Sequence, residues 1–197
     1  MSLISRVQNI LLKPKEEWAV IDAEPATIGS IYTSYVLILA AIGPIALIIG
    51  QQAFGMYGYK PPMQFTITWA VITYVLALVS VYVNALIIDA LAPSFGGTKN
   101  SVKAFKVAAY SATAAWVAGI FQIIPMLGIL AILGLYSLYL LYLGLPRLMG
   151  VSEDKAIGYT VVIVIAWIIV YAICMWLVGM LVLTFVGSAL VVPTVRY

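Results

Sequence analysis

The sequence predicts an all-α polytopic membrane protein, a helical bundle of five transmembrane helices preceded by an amphipathic amino-terminal helix. Three observations support this. Hydrophobic residues make up 64% of the chain, only 9% is charged and the mean hydropathy is +1.12, which excludes a soluble globular domain. The apolar residues gather into five long runs, each close to or above the roughly 20 that a helix needs to cross ~30 Å of hydrocarbon. The lysines and arginines are spread unevenly over the segments between those runs.

The amino-terminal residues lack the charged start, early apolar run and small-residue cleavage site of a secretory signal, so this segment is expected to be retained. Leu3, Ile4, Val7, Ile10 and Leu11 form the stripe of an amphipathic helix, with Ser2, Arg6 and Gln8 off it. Lys13-Pro14-Lys15 interrupts that helix, and Pro14 opens a second short one, KEEWAVIDAE, which carries Trp18 and Ile21 inward. The pair reads as an anchor in the headgroup region, or as a surface helix that docks something. Residues 1–27 are assigned to this cytoplasmic amphipathic segment.

The five-helix transmembrane domain occupies residues 28–186, with spans at 28–50, 65–91, 105–124, 127–145 and 157–186, and an outer tail at 187–197. Gly43-Pro44 should kink the first span, and neighbouring helices must then supply donors for the carbonyl it frees. Tyr110 to Pro146 is one apolar stretch that reads as a helical hairpin turning at Ile124-Pro125-Met126. Its arms carry Ala108, Ala112, Ala115 and Gly119, then Gly128, Ala131, Gly134 and Ser137, at the spacing of one helix side. Such faces let helices pack closely in lipid. The fifth span, at 30 residues, would run ~45 Å as an α-helix, so it must tilt or project beyond the hydrocarbon.

Orientation follows from the cations in the flanks. With the amino terminus inside, Arg6, Lys13, Lys15, Lys99, Lys103, Lys106, Arg147 and Lys155 are cytoplasmic, and only Lys60 and Arg196 lie outside. Trp18 and Trp69, near segment starts, fit the interfacial aromatic belt, whereas Trp116 and Trp167 lie within their segments and suggest packing. The loop APSFGGTKNSVKAFK is basic, flexible at Gly96-Gly97, and suited to anionic headgroups as well as to the ordinary positive-inside signal. Ser152-Glu153-Asp154 reads as a helix cap with two acids in the first turn.

Few residues suit chemistry. The chain has no histidine and one cysteine, Cys174, inside an apolar run, so imidazole proton transfer and the usual zinc ligand sets are excluded. No catalytic pair, metal site or cofactor is expected, and nothing indicates nucleic acid binding. Asp89 is the one acid within the expected spans, a turn from the end of the second. Intramembrane carboxylates are costly and are usually paired. Lys103 and Lys106, at matching depth, are its expected partners, while Asn84 lies about 140° around the helix from it. Asp89 reads as an ion pair that fixes register, or as an ion or proton relay. Tyr136, Tyr139 and Tyr142 recur every three residues and, with Tyr110, Tyr74 and Tyr82, could line a polar seam or act as interhelical glue. Arg6, Lys13, Lys15, Trp18 and Lys99 are the candidate contacts to lipid or a partner.

KPKEEWAVIDAEPATIGSIY before the first span, AYSATA at Ala109 to Ala114, and YLLYLGLPRLMGVSEDKA from Tyr139 to Ala156 bear a family likeness. Together they make the chain resemble the bacterial inner-membrane branch of the Yip family, named for eukaryotic members that interact with Ypt/Rab GTPases. The resemblance covers essentially the whole chain and implies five spans with a cytoplasmic amino terminus. The eukaryotic Gly-Tyr-x-x-x-Pro motif has Ala109 and Ala114 at its glycine and proline positions here, and Asp22 and Pro25 are a weak echo of Asp-Leu-Tyr-Gly-Pro. The expected function is that of a non-enzymatic membrane adaptor or organiser, working with membrane lipids and with a protein partner or a second copy of itself. The alternative is a conduit for lipid or a small solute that uses Asp89 and the tyrosine seam.

Overall fold

In the computed structural model, which describes residues 2–55 and 59–190, helices are joined by short connectors and no strand forms among the described residues. Ser2 caps α1 (Leu3–Leu12) by accepting the Ser5 N–H at 3.2 Å. Lys13 closes that helix, and Pro14 starts α2 (Pro14–Ala23) at a first-turn position where its missing N–H costs nothing. The apolar stripe of α1 does not face the bundle squarely. Its buried residues are Arg6 and Ile10, while Ile4 and Leu12 are 71% and 79% exposed. The helix is therefore rotated toward its arginine, and Ile4 of the stripe, with Leu12 beyond it, is left for the membrane surface.

Five helical segments are long and apolar enough to cross a membrane: Ile28–Ala53, Met63–Phe95, Ser101–Ile123, Pro125–Met149 and Glu153–Trp176. The first opens with a reciprocal cap between Thr27 and Ser30, then runs as α3 (Ile28–Ile31), a π turn (Tyr32–Val36), α4 (Leu37–Ala40) and α5 (Ile42–Ala53). Pro44 explains the break between the last two. It has no N–H to return to Ala40, and its ring crowds that carbonyl, so α4 stops there. The neighbouring helix supplies a donor near the break, to a different carbonyl from the one Pro44 frees: the Tyr74 hydroxyl donates to the carbonyl oxygen of Leu37 at 2.9 Å. At the far end Gln51 and Gln52 share hydrogen bonds with Thr66, at 3.1 Å each, which closes the first hairpin.

The second span is α6 (Met63–Leu91), finished by a 3-10 turn at Ala92–Phe95. The loop beyond it is built rather than flexible. Gly96 takes φ +78°, and at Gly97 a Cβ would lie 2.6 Å from the Met149 carbonyl oxygen, a conformation and an approach open to glycine alone. The Thr98 N–H then donates to that same carbonyl at 2.9 Å, fastening the loop to the end of the fourth span.

Asn100 caps α7 (Ser101–Ser111), which continues as α8 (Thr113–Ala118) and a 3-10 turn at Gly119–Ile123. The hairpin turns at Ile124, an extended residue, and returns through a 3-10 segment (Pro125–Leu135) into α9 (Tyr136–Met149). At about 2.0 Å per residue, a 3-10 segment covers more depth than an α-helix of equal length. The small-residue contact between the arms is real but shorter than expected. Gly134 meets Ala115, and the Ala115 N–H donates to Ser137 Oγ at 3.0 Å. Gly119 turns the other way, to the first span, where a Cβ on it would lie 2.9 Å from Gly43 Cα; Gly128 has nothing within 4 Å and Ala131 is exposed.

The third span is the centre of the bundle. Of its most apolar stretch 67% is buried, against 33% or less in the other four. Its alanines and serine are what let neighbours reach its backbone. Tyr35 from the first span donates to Thr113 Oγ1 at 2.7 Å, because that hydroxyl already spends its proton on the Tyr110 carbonyl. Beside this contact the first, second and third spans leave a cavity of about 230 Å³, bordered by Pro44, Trp69, Trp116 and Gln122. Trp69 and Trp116, both half-buried, face each other's spans across it.

Gly150, at φ +69°, ends α9, and α10 (Glu153–Leu190) begins with Glu153 and Asp154 in its first turn, as the cap reading expected. Tyr159 on α10 is fully buried, stacks on Phe95 at 4.7 Å and donates to the Ile88 carbonyl at the end of α6. Residues from Val164 on form a second unit, in which Trp167 and Tyr171 stack at 5.6 Å. The helix includes residues 187–190, expected in the tail; residues 191–197 of that tail lie outside the described residues.

The Gly119 contact has backbone on both sides, so no rotamer change relieves an added side chain. Gly119→Val is expected to destabilise the protein by about 1–3 kcal/mol, while Gly128→Ala, in open space, leaves stability unchanged. Thermal unfolding of the two variants in one detergent is the check.

Candidate functional site

The sequence places Glu17, Ile21 and Glu24 one turn apart, so that two carboxylates share the inward side of α2 with an apolar residue. Such carboxylates need cations. Arg6 supplies one. Arg6 is 6% exposed, with its Nη1 2.5 Å from Glu17 Oε1 and Nη2 paired with Glu24 Oε2; Glu17 is itself 3% exposed. The guanidinium also lies over the Tyr110 ring, 5.7 Å from its centroid. Desolvation pulls the Arg6 pKa down, but the hydrogen bond and charge of Glu24, with the charge of Glu17, outweigh it and hold the pKa above its ordinary value. The cation is fixed.

Lys106 approaches the same helix from the third span. Its Nζ is 2.6 Å from both the Ile21 and Glu24 carbonyl oxygens, so an ammonium closes the carboxyl end of α2, where the helix dipole favours it. Lys103, one turn earlier, pairs with Asp22 Oδ1 at 2.7 Å, and Arg147 at the end of α9 stands 3.8 Å from the other oxygen. The carboxyl end of α1 is held likewise, by the Tyr136 hydroxyl at 3.1 Å from the Leu11 carbonyl. Between these bonds Trp18 is 1% exposed, edge-on to Tyr110, and so close to Gly144 that a Cβ there would lie 2.8 Å from the indole. Two amphipathic helices are thereby clamped onto the ends of the third and fourth spans.

This geometry redistributes the residues singled out above. Lys103 and Lys106 do not pair with Asp89. Their side of α7 is covered by α2, whose acids and free carbonyls take them first. Asp89 instead accepts the Asn100 N–H at 2.7 Å and stands 3.5 Å from Ser101 Oγ, holding the start of α7. Asn84 is half-buried elsewhere on α6, its Oδ1 without a partner among the described residues. The tyrosines do not form one seam. Tyr74 and Tyr136 donate to backbone, Tyr110 is enclosed by Arg6, Trp18 and Tyr35, and Tyr82 and Tyr139 are 46% and 42% exposed. Tyr142 borders a crevice with Lys15. Of the expected outward contacts, Lys13, Lys15 and Lys99 are exposed, whereas Arg6 and Trp18 are buried because α1 and α2 turn those residues onto the bundle.

Glu17, Asp22, Glu24, Arg147, Tyr35, Thr113 and Tyr159 were not anticipated. The Glu17-Ile21-Glu24 register was the available signal for two of these, Glu17 and Glu24. Tyr159 and Thr113 gave none, since the Ile88 carbonyl that Tyr159 reaches and the Tyr35 hydroxyl that meets Thr113 lie far away in the chain. Among the described residues no group of three His, Cys, Asp or Glu side chains converges as a metal site.

Five helices long and apolar enough to cross a membrane define a multi-pass integral membrane protein, in which charge-clamped amphipathic helices sit on the ends of the third and fourth spans. The Yip1 domain model matches residues 9–177, and the chain belongs to that family. No match was found among curated proteins or among solved structures.

Arg6→Ala leaves Glu17 buried without its partner, a loss expected to cost about 3–5 kcal/mol. Hydrogen exchange should then show residues 3–24 opening while α6 and α7 stay protected, and a double variant, Arg6→Met with Glu17→Leu, should restore part of the protection.

Proposed function

We infer that the protein is a non-enzymatic adaptor or organiser of the cytoplasmic (inner) membrane, in which residues 1–27 serve as a rigid docking platform on the five-span domain. The observation behind this is the clamp. Arg6, Lys106 and Tyr136 hold α1 and α2 from beneath, so that Lys13 and Lys15 are displayed outward in fixed positions. A tether that only anchored the chain would need no such fixing. The distribution of eight cations against two supports a cytoplasmic platform and an outer carboxyl terminus. The partner is a protein that brings an acidic surface, or a second copy of the chain, with membrane lipids around it. A conduit is less well supported, since Asp89 and the hydroxyls of Tyr74 and Tyr136 are already engaged with the protein's own backbone.

Native mass spectrometry of the protein, drawn directly from its own membrane into nanodiscs, tests this. The expected result is a stoichiometric protein partner or dimer that is lost in the variant carrying Lys13→Glu and Lys99→Glu and kept in Asp89→Asn. A bare protomer in every preparation would overturn the adaptor, and loss of lipid or solute movement in Asp89→Asn alone would replace it with the conduit.

A further inference from the structure

A crevice of about 400 Å³ opens where the start of α2, the end of α9 and the start of α10 meet, bordered by Lys15, Trp18, Tyr142, Pro146, Arg147 and Glu153. Its size is that of a small-ligand site. Its chemistry is unbalanced. Lys15 and the Tyr142 hydroxyl have no hydrogen bond or ion pair among the described residues, and the indole Nε1 of the buried Trp18 has no acceptor. Arg147 makes one long ion pair, 3.8 Å to Asp22, with no hydrogen bond in it, and its side chain is 56% exposed and free to turn to a ligand. An ammonium, a guanidinium and a phenol therefore border the cavity with one carboxylate, Glu153, over a wall formed by the Trp18 ring.

The surroundings say what such a set would hold. Two of the three element ends are span ends, Met149 of the fourth and Glu153 of the fifth, and the end of a span is where headgroups lie. One turn below Tyr142, Leu138 and Tyr139 are 41% and 42% exposed; along α10 from Glu153, Ile157 and Val161 are 62% and 50% exposed. An apolar track thus leads out of a polar crevice toward the hydrocarbon on two sides. A soluble anion has no use for that track, whereas a lipid needs it.

We propose that this crevice binds one phospholipid headgroup, its phosphodiester between Lys15 and Arg147, its primary ammonium against Glu153, and its acyl chains along the exposed faces of α9 and α10. Guanidinium and ammonium groups are the standard partners of a phosphate oxygen, and the carboxylate selects a headgroup that carries an amine. The site does not depend on the adaptor reading, because it needs no protein partner.

The test uses the full chain in nanodiscs of equal parts phosphatidylethanolamine, phosphatidylglycerol and phosphatidylcholine, with retained lipid read by native mass spectrometry after the belt is released. One phosphatidylethanolamine per protomer is expected to be retained above its share. Lys15→Gln, a change at a residue with no partner to lose, should lower that retention about fivefold, the effect of one cation near a phosphate. Glu153→Gln should abolish the preference for the amine headgroup over phosphatidylglycerol while lipid is still retained. Retention of the three lipids in proportion to their abundance, or full retention in Lys15→Gln with unchanged hydrogen exchange of α2, would overturn the proposal. Displacement of the lipid by millimolar inorganic phosphate would overturn it too, by making the crevice a site for the free anion.

Discussion

An arginine with 6% exposure, its guanidinium set between two carboxylates at the edge of a membrane, is the constraint on which the amino-terminal half of this molecule depends. Burying Arg6 is costly on its own, as is burying Glu17. Each is tolerable only while the other is present and the geometry is held. That requirement sets the rotation of α1, which leaves Ile4 of its apolar stripe exposed to keep the arginine inward. It also sets the place of α2, which must bring Glu17 and Glu24 to one point. Lys106 completes the arrangement by satisfying the carbonyls that α2 leaves free, and so links the clamp to the most buried span.

Around that span the packing follows a different rule. Lipid gives helices no hydrophobic reason to associate, so contact must come from close approach and from hydrogen bonds. The third span provides the first with Ala115 and Gly119 and receives the second from its neighbours' side chains. Tyr35, Tyr74 and Ser137 each bond a backbone or hydroxyl group across a helix boundary. Tyr32, Tyr35, Tyr74, Tyr136 and Tyr159 serve as bolts between helices, which is why the tyrosines do not line up as a path.

The five spans and the hairpin turn at Ile124-Pro125 were legible because length, hydropathy and proline report directly on them. So was the break caused by Pro44. The clamp was not, for a physical reason. Positive residues beside a membrane look alike whether they face water or a buried acid, and Arg6 sat off the apolar stripe, where exposure is the ordinary expectation. Trp18 misled in a similar way, its position near a segment start fitting the interface as well as the interior. Asp89 was recognised as needing partners, but backbone donors at the start of α7 carry no sequence signal. Lysines three residues apart do, and they drew the wrong pairing.

The clamp joins residues that are far apart in the chain: 85 positions separate Ile21 from Lys106, and 125 separate Leu11 from Tyr136. During synthesis the two amino-terminal helices exist long before the spans that hold them. Until the fourth span has been inserted, their acids and their exposed Ile4 and Leu12 have only the membrane surface to rest on. Docking is therefore a late event in biogenesis, and a chain whose hairpin fails to insert leaves an uncapped amphipathic segment in the headgroup region, a form open to recognition by quality-control proteases.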